Sequence, residues 1–174
     1  ADNNTALGHN SLIANTTGTQ NTAVGSGALD ALTTGSSNVA VGANALTTDT
    51  LGQNSVAVGR QALFTQNFTT ATDAYNVAVG ANAGLYITTG IQNVAVGGLA
   101  LDANTTASNN VAIGYSSLSQ NTTGTSNVAI GTTALNANTT ADNNTAVGMN
   151  AMVANTTGTG NTAMGYLALD ANTT

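Results

Sequence analysis

The five-residue phrase N-x-A-[VILM]-G begins at Asn4, Asn21, Asn38, Asn76, Asn93, Asn110, Asn127, Asn144 and Asn161, and a tenth copy, SVAVG, begins at Ser55. Successive copies stand 17 residues apart, except for 21 between Ser55 and Asn76. The chain is therefore one array over residues 1–174, ten repeats with a four-residue insertion within 55–75. A strict internal period decides the architecture before any single residue is weighed. This period is too short for a helix–turn–helix unit, and Val, Thr, Asn and Gly are mediocre helix formers. The alternation in NVAVG is that of a strand, with Val39 and Val41 on one face and Asn38 and Ala40 on the other. Gly42 ends or bends that strand, a second short segment follows at 43–47, and a Thr/Asn/Gly turn closes the unit.

Two short strands and two turns per repeat predict one coil of an all-β parallel β-solenoid or β-roll. Ten coils stacked at about 4.8 Å make a rod about 50 Å long. No coil can bury its apolar side alone, so the core exists only through stacking. The repeat defines structural ladders: Asn38, Asn76, Asn93, Asn110 and Asn127 at its first position, Ala40, Ala78 and Ala95 at the third, Gly42, Gly80 and Gly97 at the fifth. The asparagines either stack as an amide ladder, each bonding the coils above and below, or cap a turn. The alanine positions predict a thin core with no room for a branched side chain at Ala129, whereas a turn residue such as Thr125 is expected to tolerate replacement. Val or Ile at the fourth position and Leu at the ninth supply most of the apolar area. A narrow roll leaves one such column exposed along its length, and association of identical chains is the expected remedy.

Composition removes other classes. One basic residue, Arg60, against seven Asp gives a net charge of −6 and no means of binding a nucleic-acid backbone. The apolar runs, such as 94–101, are too short to cross a bilayer, and no leader-like segment opens the sequence. There is no cysteine for a disulfide framework or thiolate metal site. His9 occupies a variable turn position, the Asp residues scatter over different columns, and no phosphate loop or calcium nonapeptide occurs. No catalytic, cofactor or metal residue is assigned, and the chain does not read as an enzyme.

The phrases SNVAVGANAL (37–46) and NNVAIGYSSL (109–118) resemble the head repeats of trimeric autotransporter adhesins. Runs of the form NTAVGxxAL followed by NTTG are similar to those of bacteriophage tail fibres and bacterial surface fibres. The resemblance covers the whole chain. It implies a left-handed parallel β-roll, three chains per fibre, and adhesive or shaft duty outside the cell or on a virion. The repeat is longer than the adhesin unit, which lengthens its outer turn.

Three features stand apart from this rhythm. Asn-x-Thr sequons at Asn3, Asn15, Asn67, Asn104, Asn121, Asn138, Asn143, Asn155 and Asn172 are either glycan acceptors or turn chemistry. A threonine column from Thr16 to Thr173 admits ice binding, or simply a turn that favours Thr. The inserted repeat holds Arg60, Phe64, Phe68 and Tyr75, a candidate contact loop for another chain or a surface ligand, or a bulge whose aromatics fold back on the solenoid. Joining Thr174 to Ala1 restores the register, so the expectation is a segment of a longer array or a protomer stacking head to tail. The expected function is a structural and adhesive fibre segment, a homotrimer or head-to-tail filament with a possible cell-surface or glycan ligand. The alternative is a monomeric solenoid that binds ice or carbohydrate through its Thr/Asn face.

Overall fold

The computed structural model describes residues 1–174 and contains strands and turns but no helix. It is a parallel β-solenoid of about nine turns. Ten three-residue strands lie side by side in the order β1 (Thr5–Leu7), β2 (Thr22–Val24), β3 (Val39–Val41), β5 (Val56–Val58), β7 (Val77–Val79), β8 (Val94–Val96), β9 (Val111–Ile113), β10 (Val128–Ile130), β11 (Thr145–Val147) and β12 (Thr162–Met164). Each position pairs with its own copy, and at the third position alanine faces alanine throughout: Ala40 faces Ala57, Ala95 faces Ala112, and Ala129 faces Ala146. A separate two-stranded sheet, β4 (Gly52–Gln53) with β6 (Thr72–Asp73), is confined to the inserted repeat and the one before it.

The second segment of each repeat is a turn rather than the expected second strand. In 43–47, Asn44 and Leu46 both take left-handed backbone, with φ of 56° and 49°. The same reversal recurs at the ninth position, where Leu29, Leu63, Leu101, Leu118 and Leu135 have φ between 50° and 53°. A leucine in this region costs roughly 1–2 kcal/mol. Burying its side chain returns about 1.5–3 kcal/mol, and all of these leucines are fully buried. Their N–H groups also bond the next repeat, as Leu46 does to the Ala62 carbonyl at 3.0 Å. Packing and hydrogen bonding together hold a backbone that local propensity disfavours. The turns are thus laddered like the strands: only 19 of 103 backbone hydrogen bonds lie within the strands.

The core is an alanine–leucine column. Ala at the third and eighth positions and Leu or Met at the ninth form one continuous cluster from Ala23 to Ala163. The repeat that carries Gly84 at the ninth position fills the vacancy from elsewhere. Ile87, three residues on, is fully buried, and a methyl on Gly84 would come within 3.0 Å of Ile87 Cδ1 and Leu63 Cδ2. At the fifth position glycine is obligatory for two reasons. Gly114 has φ of +133°, and a Cβ there would stand 2.6 Å from the carbonyl carbon of Gly131 in the next repeat.

Ala129 is fully buried between Ala112 and Ala146. Replacing Ala129 with Leu is expected to cost about 1–3 kcal/mol or to prevent stacking. A thermal midpoint by circular dichroism equal to that of the parent would remove the third position from the packed interior.

Candidate interaction surface

Two polar seams run inside the apolar column, and both are built from asparagine. At the first position Asn21, Asn38, Asn76, Asn93, Asn110, Asn127 and Asn144 are all buried. Each Oδ1 accepts the backbone N–H of the first residue in the next repeat, as Asn93 Oδ1 does from Asn110 at 3.0 Å and Asn110 Oδ1 from Asn127 at 2.9 Å. Each Nδ2 crosses its own coil to the carbonyl of the fifteenth position, as Asn110 does to Gly124 at 2.9 Å. The amides therefore bind backbone rather than simply stacking. Between neighbouring asparagines of this seam, only Asn38 with Asn21 and Asn93 with Asn76 add a direct amide–amide bond, at 3.2 and 3.3 Å.

A second ladder occupies the twelfth position, where the sequence shows sequons. Asn121 donates to Asn104 Oδ1 at 3.2 Å, Asn138 to Asn121 at 2.9 Å and Asn155 to Asn138 at 3.3 Å. These Nδ2 groups also reach the fifteenth-position carbonyl, so Gly124 O accepts from both Asn110 and Asn121. Asn104, Asn121, Asn138 and Asn155 are fully buried, and a glycan on any of them cannot coexist with this fold. Asn3 and Asn143 are exposed. The signal for this ladder was the recurrence of Asn before Thr-Thr, which a turn explains equally well.

Both seams are irregular around the inserted repeat. Ser55 replaces asparagine, and Gln66, from the twelfth position, reaches across the interior in its place. Gln66 Nε2 donates to Asp49 Oδ2 at 2.7 Å and to Ser55 Oγ at 3.1 Å, while its Oε1 accepts from Asn76 Nδ2 at 2.8 Å. Asp49 Oδ1 also accepts the Gly52 N–H at 2.9 Å. Burial pushes the Asp49 carboxyl above the ordinary carboxylate range, against the opposing pull of Gln66 and the Gly52, Phe68 and Leu51 backbone. Burial raises Asp102 as well, opposed by its own backbone and that of Ala103, and Asp102 Oδ1 is buried without a partner.

Outside, the strands show a face with no charge. The second and fourth positions hold only Thr, Val, Leu, Ile and Met, and those of the central strands are half-buried or exposed, with Val79, Ile113 and Ile130 each 37% accessible. The four residues of the inserted repeat do not gather into one patch. Arg60 is exposed past the end of β5, where it bonds Gln61, and Tyr75 is exposed just before the start of the parallel neighbour β7. Phe64 is half-buried, and Phe68 is folded into the body at 5% exposure. Residues 69–71 form the exposed tip of the insertion.

The two threonine columns differ. At the thirteenth position Thr88, Thr105, Thr122 and Thr139 donate their hydroxyls to the carbonyl of the next repeat. At the fourteenth, Thr89, Thr106, Thr123, Thr140 and Thr157 are exposed and make no hydrogen bond through their hydroxyls. Thr125 is less idle than its turn position implies, since its N–H and hydroxyl both donate to Asp142 Oδ1, at 2.6 and 3.0 Å. The seven Asp and one His form no cluster of three, and the surface has no pocket. No known family, curated protein or solved structure matches this chain.

Asn110→Ala orphans the Asn127 N–H but leaves Gly124 O bonded to Asn121, so a loss of about 1–3 kcal/mol is expected. Denaturant unfolding of the variant measures it. The raised carboxyls set a pH dependence of definite sign. A folded chain that holds these protons more tightly than the unfolded chain is favoured at low pH, and that contribution is lost as pH rises through the raised values. The thermal midpoint is expected to climb as pH falls from about 7 to about 4, with a shallower climb in Asp49→Asn. An equal slope in that variant would clear Asp49 of the effect.

Proposed function

We propose that the chain is a structural and adhesive segment of an extracellular or virion fibre, in which each of its ten repeats is one coil of a rod and identical chains associate, as a homotrimer, through the outer face of the long sheet. The observation that carries this reading is the uncharged column of Val39, Val56, Val77, Val94, Val111 and Val128 beside Val41, Val58, Val79, Val96, Ile113 and Ile130. With the outer four strands, which carry Thr at the second position, the strip is three residues wide and ten strands long and covers about 10 by 45 Å, or about 450 Å². That lies in the middle of the range for the largest apolar patch of a monomer, and such patches are often functional. Cyclic association of identical strips covers each of them with the same chemistry at the same spacing. The likeness of the NVAVG and NVAIG phrases to adhesin and fibre repeats supports the reading, as does the absence of a pocket that a small substrate would need. Adhesion to a cell surface or glycan then falls to the exposed turns, with residues 69–71 and Tyr75 the most prominent departure from the repeat.

A second reading rests on the exposed threonines at the fourteenth position, from Thr89 to Thr157, whose free hydroxyls recur once per repeat. It makes the chain a monomeric solenoid that binds ice or carbohydrate. Analytical ultracentrifugation separates the two. The fibre reading expects a trimer that falls to monomer in a Val94→Lys/Val111→Lys variant with unchanged circular dichroism. A parent chain that sediments as a monomer at all concentrations, with thermal hysteresis in ice, would support the second reading and overturn the first.

A further inference from the structure

We infer that the array is built as two cooperative blocks that part between Tyr75 and Asn76, with residues 1–75 opening before residues 76–174. In a solenoid each repeat touches only its neighbours, so cooperativity is carried by the interfaces between repeats and fails at the weakest one. Two observations bear on that weakness: one places it at a boundary, and the other sets which side opens first.

The first is the break in the first-position seam. On the N-terminal side it ends where the Ser55 N–H donates to Asn38 Oδ1 at 2.9 Å. On the C-terminal side it resumes where Asn93 N–H donates to Asn76 Oδ1 at 2.9 Å. Between them Ser55 offers no amide oxygen, and the Asn76 N–H has no acceptor. Gln66 bridges the gap between side chains, but it does not replace the lost bond to backbone.

The second is the extent of the twelfth-position seam. It is continuous from Asn104 to Asn172, whereas before it the position reads Asn15, Leu32, Asp49, Gln66 and Ile87 and holds only the bond from Gln66 to Asp49. Asn15 Oδ1 is buried without a partner because Leu32 has no donor to give it.

Native-state hydrogen exchange in rising denaturant, read by mass spectrometry on the intact chain, tests the inference. The first and last repeats are set aside because open ends fray. Amides in the repeats that begin at Asn21, Asn38 and Ser55 are expected to share one opening constant, those from Asn76 to Gly160 another, smaller by roughly tenfold or more. A single constant on both sides of Tyr75, or earlier opening of residues 76–160, overturns the inference. The D49N/S55N/Q66N variant restores asparagine to both seams and is expected to narrow the difference between the blocks. If that variant does not fold, N93S provides the converse test, since it copies the Ser55 break into the middle of the stable block. A new boundary between Gln92 and Asn110 supports the inference, and an unchanged exchange pattern rules out the seam as its cause.

Discussion

The backbone hydrogen bond between adjacent repeats, such as Thr22 N–H to the Asn38 carbonyl at 2.8 Å, is the constraint on which everything else rests. It brings every residue to within about 4.8 Å of its counterpart in the next repeat. Each position must therefore carry a side chain that tolerates its own copy at that distance. Glycine at the fifth position satisfies the condition because a Cβ there meets the next carbonyl. Alanine satisfies it inside the strand, where two chain walls lie close. Asparagine satisfies it best of all, because its amide reaches both the next repeat and the far side of its own coil.

The interior is consequently polar and apolar at once, without an ion pair to hold it. Buried amides that are fully bonded specify register, while an unbonded one is costly. Register is weakly defined by a column of identical alanines, which could slide past one another with little change in contact. The asparagine seams remove that freedom, since a slip would leave each Oδ1 without its N–H. Asp49 is the exception that shows the rule: a carboxylate in an asparagine position needs donors from Gly52, Gln66 and Phe68 to stay buried.

Much of the fold was legible because the period is strict. The strand at positions two to four, its inward alanines and its outward valines all follow from alternation. At 43–47 the sequence predicts a strand where the structure has a turn, because leucine is a poor candidate for left-handed backbone. The bonds that stabilise it there are made to another repeat and leave no local trace. The seam at Asn104 to Asn155 was visible only as Asn-Thr-Thr, a pattern shared by turns and sequons. The splice from Gln66 to Ser55 and Asn76 spans 11 and 10 residues, distances unrelated to the repeat. The candidate contact residues share one repeat, yet a coil carries neighbours in sequence to different sides of the rod, and Arg60 and Tyr75 lie beyond opposite ends of the β5–β7 pair.

The constant separation between stacked counterparts also bears on how such a chain comes to be folded. In most sheets, strands that pair must first find each other across long and varied stretches of chain, and folding slows accordingly. Here the loop to be closed is the same short one for nearly every repeat. The exception is the 21-residue step from Ser55 to Asn76. Once one pair of coils has formed, each further coil adds to a finished template and closes the same loop again. The entropy of closure is then a fixed amount per repeat rather than a quantity that grows with the protein. An array of this kind can be lengthened by duplicating its unit without becoming harder to assemble, and its span is set by the number of copies encoded.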